Sequence, residues 1–206
     1  MDRRAVRYRS PSPAEAPAEA PGPAAPASAT PAIAPPVSAP PAQCRLAATD
    51  RDRRAHFAVR HAVFVTEQEF FLGTDRDGHD EEPGVRHVLA WHGGTPAGAV
   101  RLYPLEEPGI WRGDRLAVLP AFRSRGLGAP LVRFAVRTAA ELGGRRMVAH
   151  IQPQNIAFFE YLGWRQIGGQ VTYIGHPHLP MAIALPPRAG TRPAAGAGRT
   201  GNGRTD

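Results

Sequence analysis

The chain has 206 residues, with 25 Lys plus Arg against 18 Asp plus Glu and a formal net charge of +7 at pH 7; every basic residue is Arg, so it has no lysine of its own to modify. Its one cysteine, Cys44, excludes an internal disulfide framework and any multi-cysteine metal site, and no apolar run is long enough to span a membrane. The positive charge suggests nucleic acid only until it is divided by region. Residues 1–42 carry four Arg against Asp2, Glu15 and Glu19, residues 186–206 carry four Arg against Asp206, and the stretch between carries 17 Arg against 14 acids.

Residues 1–42 are mostly Pro and Ala, with few large side chains to bury, and are expected to form a disordered, partly polyproline-like arm. "MDRRAVRYRS" leads into Pro-Ala sequence rather than an apolar signal region, which predicts a cytoplasmic protein. Residues 43–185 are ample for one core, and the Gly- and Arg-rich segment 186–206 reads as a disordered tail. Within the core, "DRDRRAHFAVRHAVFVTEQ" predicts an opening helix capped by Asp50, with Ala55, Ala58, Val59, Ala62 and Val63 on its apolar face. "FLGTDRDGHDEEPG" is a polar loop, and "VRHVLAWHGGTPAGAVRLYPLE" reads as a hairpin about "HGGTP". "GDRLAVLP" is a short strand. "PLVRFAVRTAAELGG" is a helix presenting Leu131, Phe134, Ala135, Thr138 and Leu142, stopped by Gly143 and Gly144. "RRMVAHIQ" is a strand, "QNIAFFEYLGW" a short helix, and "GQVTYIG" and "LPMAIAL" are closing strands; alternating strands and helices predict an α/β domain.

The stretch "FRSRGLGAPL" falls between a strand and a helix. The amides around Gly126, Leu127, Gly128 and Ala129 are those a helix start leaves without partners, and with the helix dipole they favour a phosphate oxygen. Arg123 and Arg125 add charge, and Pro130 falls where a missing N–H costs least. A Walker loop is excluded by the absence of Lys, and the dinucleotide fingerprint lacks its last Gly, which is Leu131 here. On the loop alone, a phosphate site and a basic turn without ligand fit equally well.

"RLAVLPAFRSRGLGAPLV" resembles the coenzyme A motif of the GNAT superfamily of N-acyltransferases, a V-x-P strand end followed by R-x-x-G-x-G opening a helix. "QNIAFFEYLGW" resembles that superfamily's N-x-x-A-x-x-F-Y-E-x-L-G-F helix. "VFVTEQEFF…DRDGHDEEPGVRHVLA" and "GHPHLPMAI" resemble the bacterial branch of ElaA-like and nitrogen-starvation acetyltransferases. The resemblance implies one GNAT-type domain with a mixed central sheet, splayed strands and flanking helices. It implies acetyl-CoA or another acyl-CoA as cosubstrate, with pantetheine on the backbone of Leu116, Ala117 and Val118. Pyrophosphate would lie on Arg123, Ser124, Arg125, Gly126, Leu127, Gly128 and Ala129, and the thioester beside Asn155 and Phe158. An amine would attack the thioester directly. One departure is Phe159, where many relatives carry the Tyr that protonates the leaving thiolate; Tyr173 or water is the alternative acid, while Tyr161, two positions on, faces away.

The charge is segregated. Glu67, Glu69, Asp75, Asp77, Asp80, Glu81 and Glu82 stand against Arg76 alone, whereas residues 112–146 carry eight Arg against Asp114 and Glu141. An acidic loop facing an Arg-rich half would draw a cationic amine, with Glu67 the leading carboxylate base and a solvated loop the alternative for Asp75 to Glu82. His178 is a second base candidate, or a histidine bonded only to backbone; His87 and His150 read as structural, with either able to line the cleft, and His56, His61 and His92 carry no signal. No spacing suits zinc, and "DRDGHD" departs from a calcium loop. The expected activity is acyl transfer to a small amine, with no metal, no membrane, no specific nucleic acid, and a homodimer left open. The alternatives are acyl-homoserine-lactone-type synthesis, an acyl-CoA sensor without catalysis, or nucleic-acid binding by the Arg-rich ends.

Overall fold

The computed structural model describes residues 42–187; the arm and nearly all of the tail lie outside the described residues. The order is β1 (Gln43–Leu46), α1 (Asp50–His61), a π-helical turn (Ala62–Glu67), β2 (Arg86–His92), β3 (Thr95–Pro104), β4 (Ile110–Val118), α2 (Gly128–Glu141), β5 (Arg146–Ile151), α3 (Ile156–Tyr161), β6 (Arg165–Gln166), β7 (Val171–Tyr173) and β8 (His176–Ala184). The sheet runs β1-β2-β3-β4-β5-β8-β6, with β7 on β8. All pairings are antiparallel except β4 with β5. This is the expected mixed α/β domain. β1 and β6 went unread because four and two residues carry no measurable period.

The middle of the sheet is covered on both faces, so β2 and β3 read as nearly continuous apolar runs. On one face α2 lays Leu131, Val132, Ala135, Ala139 and Ala140 against Val88, Val100, Leu102, Trp111 and Met147. On the other, α1 and the π-helical turn lay Val59, Val63 and Phe64 against Leu89, Ala99 and Ala117. Leu142, expected on the α2 face, is 45% exposed because the helix has already ended there. The opening helix is capped one residue earlier than predicted: Thr49 accepts from the Asp52 amide. Its inward face is also more polar than predicted, burying Asp52, His56 and Arg60 while Ala58 points outward. Among the described residues no helix is long and apolar enough to cross a membrane.

Strand β4 does not stay on one register. Ala99 opposes Ala117 and Arg101 opposes Asp114, so Val100 alone spans the space of Arg115 and Leu116. Arg115 takes the extra place with φ 52°, a left-handed conformation costly for a residue with a Cβ. Inserting one residue reverses which side chains face which layer. Trp111 and Leu116 therefore both pack toward α2, while Ala117 turns to the α1 layer.

Candidate active site

The strand, turn and helix expected to hold phosphate form as expected. After Leu119 the chain makes a tight 3-10 turn over Pro120–Arg125, passes through Gly126 at φ 70°, and enters α2 at Gly128. Leu127, in the cap position, offers no side-chain acceptor and is itself fully buried, so the first amides of α2 depend on an outside partner. A Cβ at Gly128 would lie 3.2 Å from the Phe158 ring, so this glycine lets α3 close onto the loop. Ser124 and Arg125 are exposed, as a surface anion site requires. Arg123 is already engaged: it donates to the Val118 carbonyl (3.2 Å) and to Glu67 (2.5 Å).

Parallel pairing of β4 with β5 covers only Ile110–Arg112 and Arg146–Val148, after which the strands diverge. The β4 edge through Leu116, Ala117 and Val118 thus faces β5 without a strand partner. A cleft of about 110 Å³ opens in the gap. Apolar groups from α2 and α3 line its floor, among them Val132, Ala135 and Phe159, and Phe70 and Phe71 close its mouth. Leu116 and Asn155 line it; Phe158 packs beside it against Gly128, and the Ala117 side chain points away into the α1 layer.

The polar lining is Arg112, Asp114, Arg115, His150, Gln152, Asn155, Tyr173 and His178. The Tyr173 hydroxyl accepts from Arg115 Nη1 at 3.3 Å, and its ring lies 5.0 Å from His150 and 5.3 Å from His178. The two histidines are held in opposite tautomers. A guanidinium can only donate, so Arg112 at 3.2 Å requires a lone pair on His150 Nδ1 and leaves its proton on Nε2. A carbonyl can only accept, so His178 Nδ1 donates to His176 O (3.0 Å), which leaves a lone pair on Nε2. His178 is therefore the histidine prepared to take a proton. Burial, followed by Arg112 and His178, lowers the His150 pKa and keeps that ring neutral. Glu67 is not brought to this group: it ends the π-helical turn outside the cleft lining and is bound to Arg123.

The acidic loop is solvated only in part: Asp77, Glu81 and Glu82 are exposed, but Asp75 and Asp80 turn inward. Asp75 and Asp80 are 2% and 1% exposed and grip Arg60, which is wholly buried, at 2.7 and 2.5 Å. Arg101, also wholly buried, binds Asp77 (2.5 and 2.9 Å) and Asp114 (2.8 and 2.7 Å) through paired contacts. Arg115 reaches Asp77 at 3.0 Å and stacks over Phe71 at 4.6 Å. Burial would raise the Asp80 pKa, but the Arg60 hydrogen bond and charge outweigh it and hold the carboxyl well below its ordinary range. His56 donates Nδ1–H to Val88 O (3.1 Å) and sits 3.2 Å from His87; burial, with His87 and Arg60 adding to it, pushes its pKa down to about 3. Asp75, Asp77 and Asp80 are thus engaged by guanidiniums, while Glu81 and Glu82 stay at the surface with Arg53, Arg76 and His79. Arg60, Arg101 and Arg115 were missed as a group. The signal was present: each Arg occupies an inward position of an otherwise apolar pattern, "FAVRH", "GAVRLY" and "GDRLAV". Among the described residues no group of three or more His, Cys, Asp or Glu could hold a metal ion.

Residues 49–164 match the acetyltransferase (GNAT) family. A candidate acetyltransferase of Bacillus subtilis is 31% identical over 134 residues, which are 65% of this chain and 90% of that one. Among solved structures, an acyl-CoA N-acyltransferase from Pseudomonas aeruginosa is 26% identical at a TM-score of 0.60, covering 68% of this chain and 97% of that one. Escherichia coli ElaA, 23% identical at a TM-score of 0.60 with the same coverage, shares the fold.

Proposed function

The chain belongs to the GNAT family of acetyltransferases, and from that premise we propose that it transfers an acyl group from acetyl-CoA, or another acyl-CoA, to a small amine held in the β4–β5 cleft. The observation that carries this reading is continuity along one path: the unpaired β4 edge runs from a cleft lined by a base-ready histidine to an uncapped helix start with a left-handed glycine, and the helix begun there lines the cleft with Val132 and Ala135. The free amides of α2 suit the pyrophosphate, with Ser124, Arg125, Gly126 and Gly128 around them. The β4 edge from Val118 back to Leu116 suits the pantetheine amides. That path ends at Asp114–Leu116, next to Tyr173 and His178.

The chemistry then balances without a covalent enzyme intermediate. The amine nitrogen attacks the thioester carbonyl, the C–N bond forms and the C–S bond breaks. His178 Nε2 accepts the proton the nitrogen loses, and Tyr173 donates its hydroxyl proton to the departing thiolate. Phe159 is buried in the floor of the cleft with no proton to give, and Tyr173 is the one phenol lining it. Arg115, 3.3 Å from the Tyr173 hydroxyl, stabilises the phenolate left behind. Water then returns a proton to Tyr173 and removes one from His178.

Calorimetric titration of acetyl-CoA, with dephospho-CoA and adenosine as controls, tests the first half on the full chain. The expected result is binding of acetyl-CoA that Gly126→Glu with Gly128→Glu abolishes; no binding by the unaltered protein would overturn the reading.

A further inference from the structure

The charges around the cleft are not evenly satisfied. Four carboxylates, Asp75, Asp77, Asp80 and Asp114, share three guanidiniums, Arg60, Arg101 and Arg115, and each is in direct contact with at least one of them. Arg112 lines the same cleft, half-buried, and has no carboxylate within 4.0 Å among the described residues. Its one side-chain bond is the Nη1 contact to His150 Nδ1, which fixes the direction of the guanidinium but leaves most of its donors free. A half-buried cation without a counter-ion is costly, and the cost is recovered when an anion arrives.

Its position says which molecule brings the anion. Arg112 is the last β4 residue paired with β5, at the closed end of the splay, whereas the α2 amides lie beyond the strand's other end. Arg112 and Tyr173 also line a neighbouring groove of about 520 Å³ with Gly78, His79, Tyr103, Leu105 and two carboxylates, Asp77, which Arg101 and Arg115 engage, and Glu82, which lies against His79. The two residues therefore stand where the cleft meets a second approach from solvent, on the side away from the phosphate-binding turn. One unpaired guanidinium matches one carboxylate, through the planar fork that suits that group; a phosphate would bring about two charges to a single cation. The adjacent Phe70, Phe71 and Ile174 offer apolar surface for a side chain.

We propose, resting on the acyltransferase reading above, that the acceptor is an amino acid whose carboxylate is bound by Arg112, and that Arg112 determines this specificity. The amine then enters beside His178 and Tyr173, anchored by its own carboxylate.

The test compares each of several amino acids with its decarboxylated partner, for example L-phenylalanine with phenethylamine and L-methionine with 3-(methylthio)propylamine. The full chain is used with acetyl-CoA, and product is read by mass spectrometry and thiol release. The expected result is at least tenfold higher kcat/KM for an acid than for its partner. Arg112→Ala should raise KM for the acid tenfold or more with a smaller change in kcat, and should leave the partner amine within threefold. Arg112→Lys should recover part of the loss. The proposal is overturned if the unaltered protein uses the amines as well as the acids, if Arg112→Ala lowers kcat equally for both, or if neither is acetylated by protein that binds acetyl-CoA. Failure to bind acetyl-CoA at all would instead overturn the acyltransferase reading. Retained acetyl-CoA binding by Arg112→Ala shows that the variant is folded.

Discussion

The turn before α2 and the loop between α1 and β2 handle charge in opposite ways. The turn leaves its donors unspent: main-chain amides at a helix start, a left-handed Gly126, and Arg125 in solvent. The loop turns its aspartates inward, closing Asp75, Asp77 and Asp80 onto Arg60, Arg101 and Arg115. A site for an anion can be built from a few consecutive residues, because the groups that bind are backbone and are exposed by helix geometry itself. A wall that shapes a second substrate must be rigid, and here rigidity comes from ion pairs joining residues up to 40 positions apart. The buried pairs also hold Arg115 in its left-handed bulge, with the guanidinium against Tyr173.

Acid should expose the contrast most strongly. His56 stays neutral when folded, down to about 3, but takes a proton near 6.5 when unfolded, so stability falls as pH drops through that window. The full gap corresponds to roughly 5 kcal/mol. Asp80, held below its ordinary range when folded, contributes stability above about 3.9 that is lost on further acidification. Urea midpoints at pH 7.5, 5.0 and 4.0 measure the first and a further one at pH 3.0 the second, and His56→Gln should flatten the loss between pH 6.5 and 4; an unchanged slope would remove His56 from the account.

Arg101→Ala leaves Asp77 and Asp114 without their paired contacts and should cost about 3–5 kcal/mol in urea unfolding. A cost below about 1 kcal/mol would mean the loop is not held as described. Tyr173→Phe keeps the ring and removes only the hydroxyl, so kcat should drop by about a hundredfold or more while acetyl-CoA affinity stays level, checked by single-turnover kinetics and calorimetry. Loss of affinity without loss of kcat would move Tyr173 from chemistry to binding. The smallest effect belongs to the one contact that joins the two regions: Glu67→Gln breaks an exposed pair with Arg123 and should change stability by about 0–1 kcal/mol. A hundredfold fall in kcat for that variant would restore Glu67 as the base and displace His178.

Read alone, the sequence determined the α/β class, the hairpin, both main helices and the glycine turn before α2. Each of these is written in neighbouring residues: a period of two or 3.6, or a glycine at a helix start. Tyr173 and His178 could be named as candidates from their places in short closing strands, but that both line one cleft came only from the fold. The tertiary structure alone decided which charges cancel. Arg60, Asp75, Arg101 and Asp114 lie far apart in the chain, and no local pattern says whether a carboxylate faces water or a guanidinium. It also decided the bulge at Arg115, which turns Ala117 from one layer to the other, and the placing of Arg112 at the closed end of the cleft with no carboxylate in contact among the described residues. Periodicity is a property of consecutive residues, whereas compensation of buried charge is a property of distance in space, which the chain sets only by folding.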